Sequence, residues 1–240
     1  MTGVSGIATG LSGIGRWFYL GMAVLLAIVI FAGFAQTYPE SIISTPPLPP
    51  LLHLHAALYA SWVLLLVAQP ALVAGGSMRI HRALGWVGAI LAGGMVVMGF
   101  AAVIIALREN YVPPFLPRRI FVVGNLLSVI GFGSLVALGV ANRSRPDWHK
   151  RLMITATILI LSQGLGRLLP MSNFGDAAPA VLFGVVTLFA LVGPFIDLIV
   201  RGRIHPAYFV GLGVLLAFEV LTPAIAFSPL APPLIHVLGG

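Results

Sequence analysis

Apolar stretches long enough to cross a membrane recur along this 240-residue chain, and they leave it few ways to fold. Hydrophobic residues make up 59% of the sequence and charged residues 8%. A helix needs about 20 apolar residues to cross the hydrocarbon layer of a bilayer. The chain is therefore predicted to be an all-α, polytopic transmembrane helix bundle.

Seven stretches are long enough to cross, and nothing indicates a second domain. They cover residues 17–35, 54–74, 80–107, 120–141, 148–169, 177–200 and 206–227. The first is too long for the apolar region of a cleaved signal peptide, so we expect it to be retained. Residues 1–240 are expected to form one transmembrane domain, with the tail from residue 228 lying at most along the outer interface.

Basic residues predict the orientation, because short loops rich in lysine and arginine stay on the cytoplasmic side. With the N-terminus inside, nine basic residues lie on the inner side and four on the outer side, although the arginines around the 111–117 loop count against this orientation. The inner set is Arg16, Arg79, Arg82, Arg143, Arg145, Lys150, Arg151, Arg201 and Arg203, and the outer set is Arg108, Arg118, Arg119 and Arg167. Seven spans and a cytoplasmic N-terminus are predicted.

Composition excludes several classes of function. The chain has no cysteine, which excludes disulfides, thiolate ligands, cysteine-bound iron–sulfur clusters and covalent c-type haem. A retinal Schiff base needs a lysine inside the bundle, and Lys150 lies at the membrane boundary. The net charge of +7 comes from residues that edge the spans, so the expected partner is the lipid bilayer and not nucleic acid. No hydrolase motif is present, and enzymatic activity stays open.

Three histidines are predicted at one depth near the cytoplasmic face. His81, His149 and His205 open the third, fifth and seventh spans, which all run outward from that face. Asp197 lies near the inner end of the sixth span and joins this level, next to Arg82 on the third. Polar side chains within membrane segments usually face the bundle interior and are candidates for function.

Imidazoles on facing helices suggest haem b, with His81 and His149 as axial ligands of the iron. Arg82 and the other basic residues nearby would suit the haem propionates. Alternatively, the three histidines and Asp197 would hold zinc. Basic surroundings suit a catalytic divalent cation less well than they suit the haem propionates. A third interpretation places the histidines in the headgroup region and pairs Asp197 with Arg201 or Arg82.

Small residues follow His81 along one face of the third span. Gly85, Ala89 and Gly93 recur at steps of four, the spacing of a single helical face. Such a strip admits either a flat ligand or a closely packed helix. The strip alone does not choose between them.

A second polar layer is predicted in the outer half of the bundle. His55, Trp62 and Gln69 recur every seven residues on the second span, while Gln163 and Arg167 lie near the outer end of the fifth. An arginine within the membrane needs carbonyls, an anion or an aromatic face around it. These residues are predicted to form an outer polar pocket, either structural or for a quinone headgroup.

Three segments carry a resemblance to a known group of proteins. They are Leu54–Gly99, Arg145–Leu168 and Asp197–Tyr208, with the patterns HRALG, HKRLM and GRIHP. The chain resembles a group of uncharacterised bacterial multi-helix membrane proteins, which implies the bacterial cytoplasmic membrane and no established activity. Its helix starts also resemble those of transmembrane b-type cytochromes. Those proteins place histidine pairs at both membrane depths, whereas His55 has no evident partner, so one inner haem is expected at most.

Several functions therefore remain open. The first is a haem-bearing electron-transfer or quinone-interacting membrane protein. The second is a cofactor-free accessory subunit of a larger membrane complex. A zinc-dependent membrane enzyme and a small-molecule transporter are the others. His53 and His236 are expected to be solvated and to have no role.

Overall fold

The computed structural model describes residues 3–43, 48–113 and 115–239, with side chains from residue 17 onward outside 40–47. This part of the chain folds into nine α-helices and one 3₁₀ helix, which confirms the all-α prediction. The helices are α1 (Gly3–Ile43), α2 (Pro50–Ala74), α3 (Met78–Arg108), α4 (Arg118–Ala141), α5 (Pro146–Leu159), α6 (Ser162–Leu168), α7 (Ala178–Arg201), α8 (Pro206–Ala226) and α9 (Ala231–Gly239), with the 3₁₀ helix Met171–Ala177 before α7.

Six segments of the described chain are long and apolar enough to cross a membrane. They are Trp17–Pro39 within α1, α2, α3, α4, Met171–Arg201 and α8. The predicted span at 148–169 is divided into α5 and α6, each too short to cross alone. The chain is thus an integral membrane helix bundle, whereas the seventh span and the cytoplasmic N-terminus stay predictions.

The division between α5 and α6 has a local cause. Thr155 and Thr157 turn their hydroxyls back onto the carbonyls of Arg151 and Met153, and such bonds bend helices. After them, the N–H groups of Ile160 and the next residue bond three residues back, which tightens the turn. The helix therefore ends at 159 and restarts at 162.

Five helical elements form a closed ring. In order of contact they are α1, α2, α3, α4 and the α5–α6 pair, which returns to α1. The last two long helices lie outside the ring, with α8 against α4 and α5, and α7 against α5, α6 and α8. The outward faces carry exposed apolar residues such as Ile90, Val97 and Leu188, which fits contact with lipid.

The ring closes where two glycines meet. A Cβ atom on Gly33 of α1 would collide with the backbone of Gly164 in α6, and one on Gly164 would lie 2.9 Å from the Cα of Ile30. Close backbone approach at small residues is how membrane helices pack without a hydrophobic driving force. The absence of a side chain at these positions allows α1 to complete the ring.

Gly33→Ala is expected to destabilise the fold by about 1–3 kcal/mol, because the new methyl meets backbone and not a flexible side chain. The free energy of unfolding in a denaturing-detergent titration measures this. Gly21→Ala on the same helix is the matched control, since nothing lies within 4 Å of its Cβ position and alanine favours helix. Equal stability of the two variants would contradict the close crossing.

Candidate functional site

Two of the three inner histidines come together. The rings of His81 on α3 and His149 on α5 have centroids 6.3 Å apart and planes 83° apart. Both side chains are partly buried. They approach each other at the end of the ring where α2 and α4 also contribute groups.

Each imidazole is held through its Nδ1 atom. Nδ1 of His149 donates to the backbone carbonyl of Gly139 at the end of α4, at 2.8 Å. The side-chain amide of Gln69 on α2 contacts Nδ1 of His81, donates to the His81 carbonyl at 3.2 Å and accepts from the N–H of Gly85 at 3.1 Å. Nε2 of His149 is therefore the nitrogen left for a ligand, whereas the bond from Gln69 to Nδ1 of His81 places the proton of that ring on Nε2.

His205 is not part of this pair. Its ring packs edge-on against Trp148 with centroids 5.5 Å apart, and its Nδ1 accepts from the N–H of Ala207 at the start of α8. Burial lowers the pKa of His205 below its ordinary value. The role that the structure shows for His205 is to cap α8.

The four predicted groups are not gathered into one site in the structure. No cluster of three or more histidine, aspartate or glutamate side chains suited to a metal occurs in the described ranges. Asp197 is directed to an arginine, and its Oδ2 also accepts from the backbone N–H of His205 at 3.2 Å. Arg82 is exposed. Zinc held by three histidines and Asp197 has no support in this geometry.

A buried ion pair lies at the same end of the bundle. Arg151 of α5 is fully buried and contacts Asp197 of α7 twice, with Nε–Oδ2 at 3.0 Å and Nη2–Oδ1 at 2.6 Å. Such paired bonds are the strong geometry between arginine and a carboxylate. Arg201, the partner expected from sequence, is farther away, with Nε–Oδ1 at 3.6 Å.

Asp147 connects the buried ion pair of Arg151 and Asp197 to the protein surface. Asp147 Oδ1 accepts from Lys150 at 2.8 Å, Arg201 at 3.0 Å and Arg151 at 3.2 Å. The hydrogen bond from Lys150, followed by that from Arg201, holds the pKa of Asp147 well below its ordinary value. The carboxylate stays charged and ties α5 to α7.

Two tyrosines enclose the buried guanidinium. Its Cζ lies 5.9 Å from the ring centroid of Tyr19 on α1 and 5.3 Å from that of Tyr208 on α8. Four helices thus meet at Arg151. This network holds together the end of the bundle that carries the histidine pair. The spacing of Asp147 and Arg151, four residues apart on one helix, is the signal that could have identified part of it.

The strip of small residues after His81 lies open in the structure. Nothing lies within 4 Å of a Cβ atom built on Gly85 or Gly93, and both residues are exposed. The Cβ side of both glycines is therefore open, while Gln69 of α2 reaches the backbone N–H of Gly85. The strip is therefore free for lipid or a ligand.

The outer layer contains Arg167, but it does not gather every predicted member. The Arg167 guanidinium donates from Nε to Thr37 Oγ1 at 3.1 Å and from Nη1 to the Gln163 carbonyl at 2.6 Å. It also lies 4.2 Å from the ring centroid of Phe34. Gln163 uses its amide to reach Asn125 Oδ1 on α4 at 3.1 Å.

His55 has an unused nitrogen. Its ring stacks on Tyr59 with centroids 4.2 Å apart. Within the described residues, no hydrogen-bond partner is found for its buried Nδ1.

The other two members of the predicted outer pocket lie elsewhere. Trp62 is buried deeper, donates to Thr157 Oγ1 at 3.1 Å and packs edge-on against Phe132. Gln69 is at the opposite end of α2, against His81. Placing Gln69 in the outer pocket was wrong because 14 helical residues advance about 21 Å.

Comparisons of this chain with protein-family models, curated proteins and solved structures give no match. The resemblance to bacterial membrane proteins stays a prediction. Function must be inferred from the histidine pair and the two polar layers.

Proposed function

We propose that this membrane protein binds one haem b between His81 and His149 and acts in electron transfer. The observation that carries the proposal is the 6.3 Å separation of the two imidazole centroids. Nitrogen ligands bind metals such as zinc at about 2 Å, and a similar bond to iron places two axial imidazole centroids about 6 Å apart. When bound, the haem would supply a one-electron carrier.

The surroundings of His149 are those of a metal ligand. A ligating histidine usually donates its other N–H to a carbonyl or carboxylate, which fixes the ring and leaves the second nitrogen unprotonated. The bond from Nδ1 to Gly139 O has this arrangement. Nε2 of His149 is therefore ready to bind iron.

Gln69 is the residue next to Nδ1 of His81. In the orientation that satisfies the backbone of α3, the amide nitrogen faces Nδ1. For His81 to hold the iron through Nε2, the proton of the ring would lie on Nδ1, and the Gln69 side-chain amide would rotate to present its oxygen to that N–H. A neutral histidine can carry its proton on either nitrogen, and a primary amide can donate or accept, so both changes are possible.

The test is the visible spectrum of the purified protein, oxidised and then reduced with dithionite, with a parallel metal analysis. We expect a Soret band that shifts on reduction and about one haem per chain. A chain that carries no haem after expression with added haem precursor would contradict the proposal. A cofactor-free accessory subunit would then be the remaining function.

We also propose that α5 and α6 cross the membrane together, with the N-terminus in the cytoplasm of a bacterial cell. His149 at the start of α5 meets the start of α3, whereas Arg167 at the end of α6 bonds Thr37 near the far end of α1. Reporters fused after Arg145 and after Phe174 should therefore lie on opposite sides of the membrane. Detection on one side would restrict the crossing to the six long helices.

A quinol is the second candidate ligand, favoured by the free nitrogen of His55. When the ring proton is on Nε2, the buried Nδ1 is an acceptor that needs a donor. A quinol hydroxyl is such a donor, and a quinone carbonyl is not. Stacked Tyr59 supplies an aromatic neighbour.

His55→Phe is expected to weaken binding of a short-chain ubiquinol about fivefold, the loss of one hydrogen bond. Quenching of tryptophan fluorescence measures the dissociation constant. His53→Phe is the matched control, because His53 is bonded to Tyr38 at 2.7 Å and lies two residues away. Equal affinities of the two variants would exclude His55 as a quinol ligand.

A further inference from the structure

A cavity of about 430 Å³ lies between the start of α4 and helix α9, far from the histidine pair. Its lining residues are Arg118, Arg119, Pro232, Ile235, His236 and Gly239. The short helix α9 packs across the ends of α3 and α4, burying Ile235 and Leu238 against Leu107 and Val122. The cavity thus lies between α4 and α9, next to their contact with the end of α3.

The polar lining is basic. Among the described residues, two arginines and one histidine line this space and no aspartate or glutamate does. All three residues are exposed, and Arg118 donates from Nη2 to the carbonyl of Leu107 at 3.1 Å. The first N–H groups of α4 add positive potential at the same place. The site is therefore built for an anion.

Large apolar side chains are exposed on α9 and just before it. Phe227, Leu230 and Val237 are 66%, 66% and 77% exposed around α9. Exposed aromatic and aliphatic residues next to arginines are typical of the membrane interface, where acyl chains and headgroups meet. The combination predicts a ligand with a negative headgroup and an apolar body.

We propose that this cavity binds a phosphate group, supplied either by an anionic phospholipid or by free phosphate. Arg119 and His236 provide donors to the phosphate oxygens, and Arg118 provides a fixed positive charge. Ile235 and Pro232 border the apolar part of a lipid. The proposal does not depend on haem or quinol binding.

The experiment measures dissociation constants of the full chain in detergent, with added phosphatidylglycerol, phosphatidylcholine or inorganic phosphate at constant ionic strength. We expect phosphatidylglycerol to bind about tenfold more tightly than phosphatidylcholine, and Arg119→Gln with His236→Gln to remove that preference. Binding of inorganic phosphate with similar affinity would identify free phosphate as the source; binding of phosphatidylglycerol alone would identify the lipid.

Arg108→Gln is the matched control, because Arg108 is exposed at the end of α3 and does not line the cavity. It should keep the preference for phosphatidylglycerol. Equal binding of the two lipids by the wild-type chain would overturn the proposal, and so would an equal loss in Arg108→Gln and the cavity variant. Unchanged helicity in each variant shows that the fold is intact.

Discussion

Replacing His149 with alanine is expected to abolish the visible absorption band of bound haem. The substitution removes the ligand whose Nδ1 is fixed by Gly139 and leaves His81 without an axial partner. The band should be lost, because only one of the two imidazoles proposed to hold the iron then remains. Absorbance per mole of purified protein measures the loss.

Controls separate ligation from general damage. His53→Ala should keep the full band, since this histidine is on α2 beside Tyr38. Gln69→Leu removes the partner of His81 and should weaken haem affinity about 10–100-fold, whereas Gln69→Glu, a stronger acceptor for Nδ1–H, should retain it. A full band in His149→Ala would rule out this residue as the iron ligand.

Replacing Asp197 with alanine is expected to destabilise the protein by about 3–5 kcal/mol, because the fully buried guanidinium of Arg151 loses its buried carboxylate and keeps only the longer contact with half-exposed Asp147. Tyr19 and Tyr208 pack against that charge and would lose their arrangement with it. The measurement is the free energy of unfolding in a denaturing-detergent titration followed by helicity.

Two comparisons test the cause of that loss. Asp147→Ala should cost about 1 kcal/mol or less, since Asp147 is half-exposed and solvent screens its contacts. Exchanging both partners, as in Arg151→Met with Asp197→Leu, should recover most of the stability because no charge is then left buried. A double variant as unstable as Asp197→Ala would show that packing, and not the unpaired charge, causes the effect.

Sequence alone determined the membrane class, the approximate ends of the long helices and the depth of the inner histidines. These properties depend on one helix at a time: the length of an apolar run decides whether it crosses, and a rise of about 1.5 Å per residue gives the depth. Prolines at Pro50, Pro146 and Pro206 begin helices where their missing N–H costs nothing. The division at Ile160 was not foreseen, because it arises from hydroxyls that bond back within an apolar run.

Only the tertiary structure decided which polar groups meet. His81, His149 and His205 open their spans in the same way, yet the first two pair while His205 caps α8. Asp197 lies closer to Arg151 on another helix, at 2.6 Å, than to Arg201 one turn away, at 3.6 Å. The depth of a residue follows from its position along the helix axis. The residues that it contacts depend on how each helix is rotated about its own axis and on which helices pack together. Contacts such as Gly33 against Gly164 set that arrangement, and no periodicity within a single helix encodes it.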